Sequence, residues 1–271
     1  MSFLFPYGII KAEKFSFICM QEGGLMDVKR FAEMINECKK IVFFGGAGVS
    51  TESGVKDYRS QDGLYHTVKD YGVPPEVILS HEFFFHNTAT FYDFYRKYFI
   101  IEVQPNAAHK ALAELEKLGK LKAVITQNID GLHQRAGSKH VIELHGTAGK
   151  FQCIACGQDA NAQEAIEEIK RGKIPKCKSC GGMMKPKVVL YGENLYDGVA
   201  EAAVDNIANA DFLIVGGTSL AVQPAASFVR YFRGKYLVII NQSETDYEGN
   251  ADLVIRDRIG EVFQKTMKEI R

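Results

Sequence analysis

The apolar residues of this chain repeat with two periods, and each period predicts a different kind of element. From Asp27, a residue suited to cap a helix, apolar side chains recur at Val28, Phe31, Ala32, Ile35 and Cys38, which is the spacing of one buried helix face. Short apolar runs then follow at Ile41–Phe44, Leu121–Thr126, Asp211–Gly216 and Tyr236–Ile240, with briefer ones at 141–144 and 187–191. Runs of this length read as buried strands. A helix is expected near 107–118, stopped by Gly119, and another from Pro224 through Phe232. Strands of this kind alternating with helices predict an α/β fold, a Rossmann-like parallel sheet with helices on both faces. The stretch 61–105 is instead rich in Phe and Tyr at helical spacing, which suggests a small helical insert with an aromatic core.

Open parallel sheets bind ligands beyond the carboxyl ends of their strands, so the informative loops follow residues 44, 126, 216 and 240. The first holds Gly45-Gly46-Ala47-Gly48-Val49-Ser50-Thr51 and the second Gln127-Asn128-Ile129-Asp130-Gly131-Leu132-His133. The third carries Gly217-Thr218-Ser219-Leu220 and the fourth Asn241-Gln242-Ser243. Any one of these is ordinary turn composition. Four at the same end of one sheet outline a dinucleotide cleft. Glycines past a buried strand let backbone N–H groups approach a diphosphate. The dehydrogenase fingerprint needs a third glycine where Thr51 stands, so this cradle is not expected to serve hydride transfer.

Composition narrows the picture. At 271 residues, with 46% hydrophobic residues, the chain is long enough for one large domain with a small insert. Its formal net charge of zero argues against a nucleic-acid binder. No apolar run reaches the roughly 18 to 20 residues of a membrane span. Four of the six cysteines form two Cys-x-x-Cys pairs, Cys153/Cys156 and Cys177/Cys180, with 20 residues between them. Two such knuckles can hold one zinc tetrahedrally, with no position left for a reactive water. Gly157 and Gly181 permit the tight turn after each pair, and Ala165, Ile166 and Ile169 suggest a helix covering the ribbon. A redox dithiol would need only one pair. Paired thiols of this type favour a reducing cytoplasm. Residues 1–25 fit no signal peptide and are expected to be an N-terminal extension from an upstream mis-start, with Met26 the natural initiator.

These pieces, in this order, resemble the sirtuins, NAD-dependent protein-lysine deacylases. The matching segments are the glycine loop through Arg59, Thr126 to His133, Glu143-Leu144-His145-Gly146, both cysteine pairs, Val188-Val189-Leu190-Tyr191-Gly192-Glu193, Gly217-Thr218-Ser219-Leu220 and Asn241. They span nearly the whole chain from Met26. The resemblance implies a catalytic domain over 26–271, with a small domain built from the helical insert (about 62–105) and a zinc ribbon (about 149–186). NAD as co-substrate and an acetyl-lysine peptide meet between the two parts. His145 is implied as general base, with Asn128 and Asp130 shaping the nicotinamide pocket. Gly46, Ala47, Gly48, Thr51, Tyr58, Arg59, Gln127, Ile129, Gly217, Thr218, Ser219, Asn241, Gln242 and Arg258 are implied as further NAD contacts. Val189, Tyr191, Gly192 and Glu193 would pair with the substrate backbone, and Leu220-Ala221-Val222 would flank it on the other side.

Three positions depart from the family pattern. Lys56 and Tyr58 stand where proline and phenylalanine are usual, and Tyr191 stands where phenylalanine is common. Members preferring acidic acyl groups carry Tyr-x-x-Arg in the helical insert. Here Tyr92 is followed at that spacing by Tyr95, which favours acetyl or another apolar acyl group. Two other functions use the same NAD site: ADP-ribosyl transfer, and NAD-responsive binding without catalysis. His145, Asn128 and Asp130 together disfavour the last.

Overall fold

The computed structural model describes residues 26–57 and 68–270. The segment expected as an extension lies outside the described residues, as do Tyr58 and Arg59.

Six parallel strands form the main sheet: β1 (Ile41–Gly45), β2 (Leu121–Thr126), β3 (Val141–Glu143), β6 (Phe212–Gly216), β7 (Tyr236–Ile240) and β8 (Leu253–Ile255). Their order is β3-β2-β1-β6-β7-β8. Chain order therefore reverses at β1, and a sheet of this type opens a crevice at the carboxyl end of such a switch point. The glycine loop leaves β1 at that crevice.

Alternation along the strands assigns two cores. Ile41, Phe43, Leu121, Val124, Phe212, Ile214, Val238 and Ile240 pack against α1 (26–37), α6 (Ala107–Lys117) and α10 (Ile259–Thr266). Val42, Phe44, Ile125, Leu213, Val215, Leu237 and Ile239 face the other way, onto α9 (Val199–Ala208) and a 3₁₀ helix, Ala225–Tyr231. The helix expected from Pro224 is thus of the tighter kind, and β8 was not anticipated.

A third cluster lies apart from the sheet. It joins α3 (Pro75–Ile78), α4 (His81–His86), α5 (Thr88–Tyr98) and α8 (Ala162–Lys170) to an antiparallel pair, β4 (Gly146–Cys153) and β5 (Met184–Val188). The short α2 (Val68–Tyr71) adds Tyr71 to it. Tyr92 donates its hydroxyl to the Met184 carbonyl, and Tyr95 donates to Ala148 O at 2.6 Å, so α5 is tied to the ribbon by buried hydroxyls as well as rings.

Candidate active site

The glycine loop is clamped onto the loop after β6. Gly46 N and Gly48 N donate to Gly216 O (3.3 Å) and Gly217 O (2.8 Å). A Cβ on Gly48 would lie 2.9 Å from the Gly217 Cα, so this approach requires glycine. Two 3₁₀ turns, Ala47–Val49 and Thr51–Ser53, follow, and the Thr51 hydroxyl donates to Gly48 O at 3.0 Å.

The β2 loop converges on the same place through its side chains. Gln127 Nε2 donates to Thr218 Oγ1 at 3.1 Å, bridging the loops after β2 and β6. Asn128 Nδ2 donates to Gly46 O (3.0 Å) and to Ser50 Oγ (3.1 Å). Ser50 in turn donates to Asp130 Oδ2 at 2.7 Å, while Asp130 Oδ1 accepts from Leu132 N at 2.9 Å. Burial pushes the Asp130 carboxyl upward, opposed by the Leu132 N–H and the Ser50 hydroxyl. Ile129 instead turns toward the third cluster, and its carbonyl accepts from Ala148 N.

His145 sits between β3 and β4, half-buried. Its Nδ1 lies 3.0 Å from the Gln127 carbonyl oxygen, which only accepts, so Nδ1 carries the proton and Nε2 is left as a proton acceptor. Burial lowers the imidazole pKa, offset in part by that carbonyl. The ring is therefore neutral and in one tautomer at neutral pH, which is what a general base needs.

The remaining positions are spread along the crevice and its far side. Asn241 turns its amide onto Ser243 O (2.8 Å), and Gln242 is exposed beside it. Arg258 precedes α10 with its guanidinium 3.7 Å from Glu52 and 3.5 Å from Glu261. Ser219 and Leu220 lie in an irregular loop, where Leu220 takes φ +53°. Val189 N donates to His145 O, which ties the segment after β5 to the histidine. Both backbone groups of Tyr191 are used by Leu79 O and His81 N, and Gly192 turns with φ +88°. The Glu193 carboxylate accepts from Leu190 N (2.9 Å) and Lys185 Nζ (3.0 Å) and lies 2.9 Å from His81 Nδ1. Glu193 thus braces this loop from within.

The cysteines come together as their spacing requires. The Sγ atoms of Cys153, Cys156, Cys177 and Cys180 all lie within 4.8 Å of one another. Backbone N–H groups of Cys180 and Ser179 hold the Cys177 thiol down to about 6. Four sulfurs in this arrangement fit one tetrahedral zinc, which closes the ribbon and leaves no open coordination position.

Two buried residues at this site carry no sequence signature of catalysis. Ser50 is fully buried at the centre of the Asn128–Asp130 contacts, and His109 of α6 approaches it from behind at 3.5 Å. The only hint is Asn106 three residues before His109, the spacing of a helix capping box.

Fold and site together define a dinucleotide-binding α/β protein with a zinc ribbon inserted beside its cleft. The Sir2 family model matches residues 46–224, and the chain belongs to that family. It is 51% identical over 238 residues to a Clostridium acetobutylicum protein named an NAD-dependent protein deacetylase, covering 88% of this chain and 96% of that one. A Cutibacterium acnes protein of the same name is 48% identical over 246 residues, covering 90% and 99%. Among solved structures, a complex described as Sir2, p53 peptide and NAD+ superposes with a TM-score of 0.80 at 35% identity, covering 89% of this chain and 98% of that one.

Proposed function

We propose that this chain is an NAD-dependent protein-lysine deacetylase that converts NAD and an acetyl-lysine peptide into nicotinamide, free lysine and O-acetyl-ADP-ribose. The observation that carries the reading is His145: neutral, its Nδ1 held by the carbonyl of Gln127, the residue before Asn128, with Nε2 left as a proton acceptor. The acyl oxygen of the substrate attacks the ribose carbon as nicotinamide leaves. His145 Nε2 then takes a proton from a ribose hydroxyl, which attacks the acyl carbon, and water completes the release. Asp130 accepts from the nicotinamide carboxamide and Asn128 orders a ribose hydroxyl or water. Zinc supplies structure to the ribbon and takes no part in bond making.

The small domain of insert and ribbon closes the cleft over the peptide. Tyr95 supports a preference for acetyl or another apolar acyl group, since the position is fully buried and its hydroxyl is committed to Ala148 O. No helix among the described residues is long and apolar enough to cross a membrane. The two Cys-x-x-Cys pairs, thiol chemistry that belongs to reducing compartments, support a cytoplasmic setting.

Wild-type protein incubated with NAD and an acetyl-lysine peptide is expected to yield nicotinamide and O-acetyl-ADP-ribose in equal amounts by mass spectrometry. Absence of turnover sinks the proposal, and ADP-ribosylated peptide as the main product moves it to ADP-ribosyl transfer. His145→Ala is expected to cost roughly 10²–10⁴-fold in turnover. Because burial lowers its pKa, activity should be lost on acidification only below the usual histidine value of 6.5.

A further inference from the structure

The last helix, α10, begins without a cap of its own. Arg258 holds its N-cap position and makes no side-chain hydrogen bond there, since a guanidinium has no acceptor to offer. The first N–H groups of a helix have no partner within it. That of Gly260, second in α10, donates instead to Glu52 Oε1 at 2.7 Å, a residue 208 positions earlier in the chain. By contrast α7 (Leu132–Ala136) starts on a local acceptor, Asp130 Oδ1, at 2.9 Å from Leu132 N. Glu52 lies in the second 3₁₀ turn of the glycine loop, directly after Thr51. The three atoms nearest to a Cβ placed on Gly260 all belong to the Glu52 carboxyl group, at 2.6 to 3.0 Å, so the contact requires glycine there. Between Arg258 and Gly260, Ile259 reaches the end of β6: its Cδ1 lies 2.4 Å from where a Gly216 Cβ would stand. The contacts close a ring. They run from Glu52 to α10, from α10 to Gly216, from Gly217 O to Gly48 N, and from Gly48 O back to the Thr51 hydroxyl.

We propose that Glu52 is a positioning residue of the NAD site: from the glycine loop it supplies the cap that α10 lacks, so that the loop and the helix start are ordered together. The proposal rests on the reading that this cleft binds NAD. Of the two contacts Glu52 makes with α10, the bond to Gly260 carries the link. The Arg258 guanidinium is half exposed and 3.7 Å away, and ion pairs of that kind add little. A cap acceptor, in contrast, satisfies a backbone donor that the fold would otherwise leave unpaired. With the cap in place, the first turn of α10 holds Ile259 against Gly216, and the neighbouring Gly217 holds Gly48. Glu52 thus acts on the dinucleotide through the loop that bears it and touches no part of NAD itself.

The test reads NAD affinity by calorimetry beside the KM values for NAD and peptide. Glu52→Ala should weaken NAD binding and raise its KM about five- to tenfold, while the KM for peptide stays put. Glu52→Gln keeps an acceptor at the same reach and should bring both back to within about twofold of wild type. Glu261→Gln removes the other partner of Arg258 without touching the loop and should move neither. Gly260→Ala should match Glu52→Ala, and the double variant should be no worse than either, because both changes break one contact. Additive losses in the double variant, or wild-type NAD affinity in Glu52→Ala, overturn the proposal. Calorimetry needs no turnover. A wild type that binds NAD but cleaves none would sink the functional reading alone, and the variants would still decide the role of Glu52. Should Glu52→Ala fail to fold, Glu52→Asp decides, since its carboxylate falls one methylene short of Gly260 N. Weakened NAD binding in that variant supports the proposal and wild-type binding overturns it.

Discussion

The six-stranded sheet and the ribbon-and-helix module reach rigidity by different means. In the sheet, every strand is paired and both faces are covered by apolar layers, so cohesion is spread over dozens of side chains. Among the described residues the module's one pair of strands is β4 with β5, with isolated bridges beside it. Its core is a chain of edge-on rings, from Phe84–Phe91 at 4.8 Å to Tyr95–Phe151 at 6.1 Å, pinned by two tyrosine hydroxyls and closed by four thiols. Distributed cohesion tolerates single changes. Cohesion through a few polar anchors and one metal does not, and the catalytic cleft borrows from both regions.

The largest test of that contrast is Cys177→Ser, which removes one of four zinc ligands. Structural zinc energy is folding energy, so the module should loosen. Deacetylation should fall by at least about a hundredfold and zinc content should drop, while far-UV circular dichroism retains most of its amplitude from the sheet region. Activity above a tenth of wild type would break the contrast. Next in size are two glycines with left-handed backbone, Gly217 at φ +57° and Gly181 at φ +73°. A Cβ on Gly217 would lie 2.3 Å from Val49 N and 2.6 Å from Gly48 C, backbone that cannot yield without moving the NAD loop. Gly217→Ala should cost about 3 kcal/mol from strain plus overpacking and raise the KM for NAD. Gly181→Ala meets nothing within 4 Å and should cost only about 1–2 kcal/mol, by thermal melt.

The same contrast explains what could be read from residues alone. The strands β1, β6 and β7 are continuous apolar runs because a doubly covered sheet demands them, β2 is interrupted only by the exposed Lys122 near its start, and all four lie where the runs predict. Strand β8 is three residues long at a sheet edge, too short to show a period. Strand β4 reads Gly-Thr-Ala-Gly-Lys-Phe-Gln-Cys, in which neither face is apolar throughout, because metal and rings do the work of a hydrophobic face there. At the cleft, Gln127, Asn128 and Asp130 stood out because loops after strands advertise their polar residues, whereas His145 was reached only through the family resemblance. His109 was reached by neither route. It sits on a helix face among Ala108, Ala111 and Leu112, where periodicity counts it as packing, and only the fold brings Ser50 to its Nε2.

A smaller effect probes the module's hydroxyl anchors. Tyr95→Phe leaves the ring contacts and removes the donor to Ala148 O. It should cost about 1–2 kcal/mol, the usual penalty for a buried acceptor left alone. Burial raises this phenol well above its ordinary value, so the loss should be the same from pH 6 to 9. Chemical denaturation at the two ends of that range checks both size and flatness.

The smallest effect at neutral pH should come from His133, where the sheet region carries a polar group without an anchor. The ring is buried between His109, at 4.6 Å between centroids, and Phe43, at 6.1 Å, and neither nitrogen has a hydrogen-bond partner among the described residues. A neutral imidazole there leaves one N–H unsatisfied, so His133→Leu should stabilise the fold by up to about 1 kcal/mol at pH 7.5. Acid should widen the gap. Below the unfolded pKa of 6.5 the unfolded wild-type chain binds a proton at His133 that the folded chain refuses until about pH 3. Wild type therefore loses stability through this group as pH falls across that window, and the leucine variant does not. Urea melts at pH 7.5 and pH 5 measure both terms. A variant less stable than wild type at pH 7.5, with a gap that does not change at pH 5, would mean that the histidine is held by polar contacts after all.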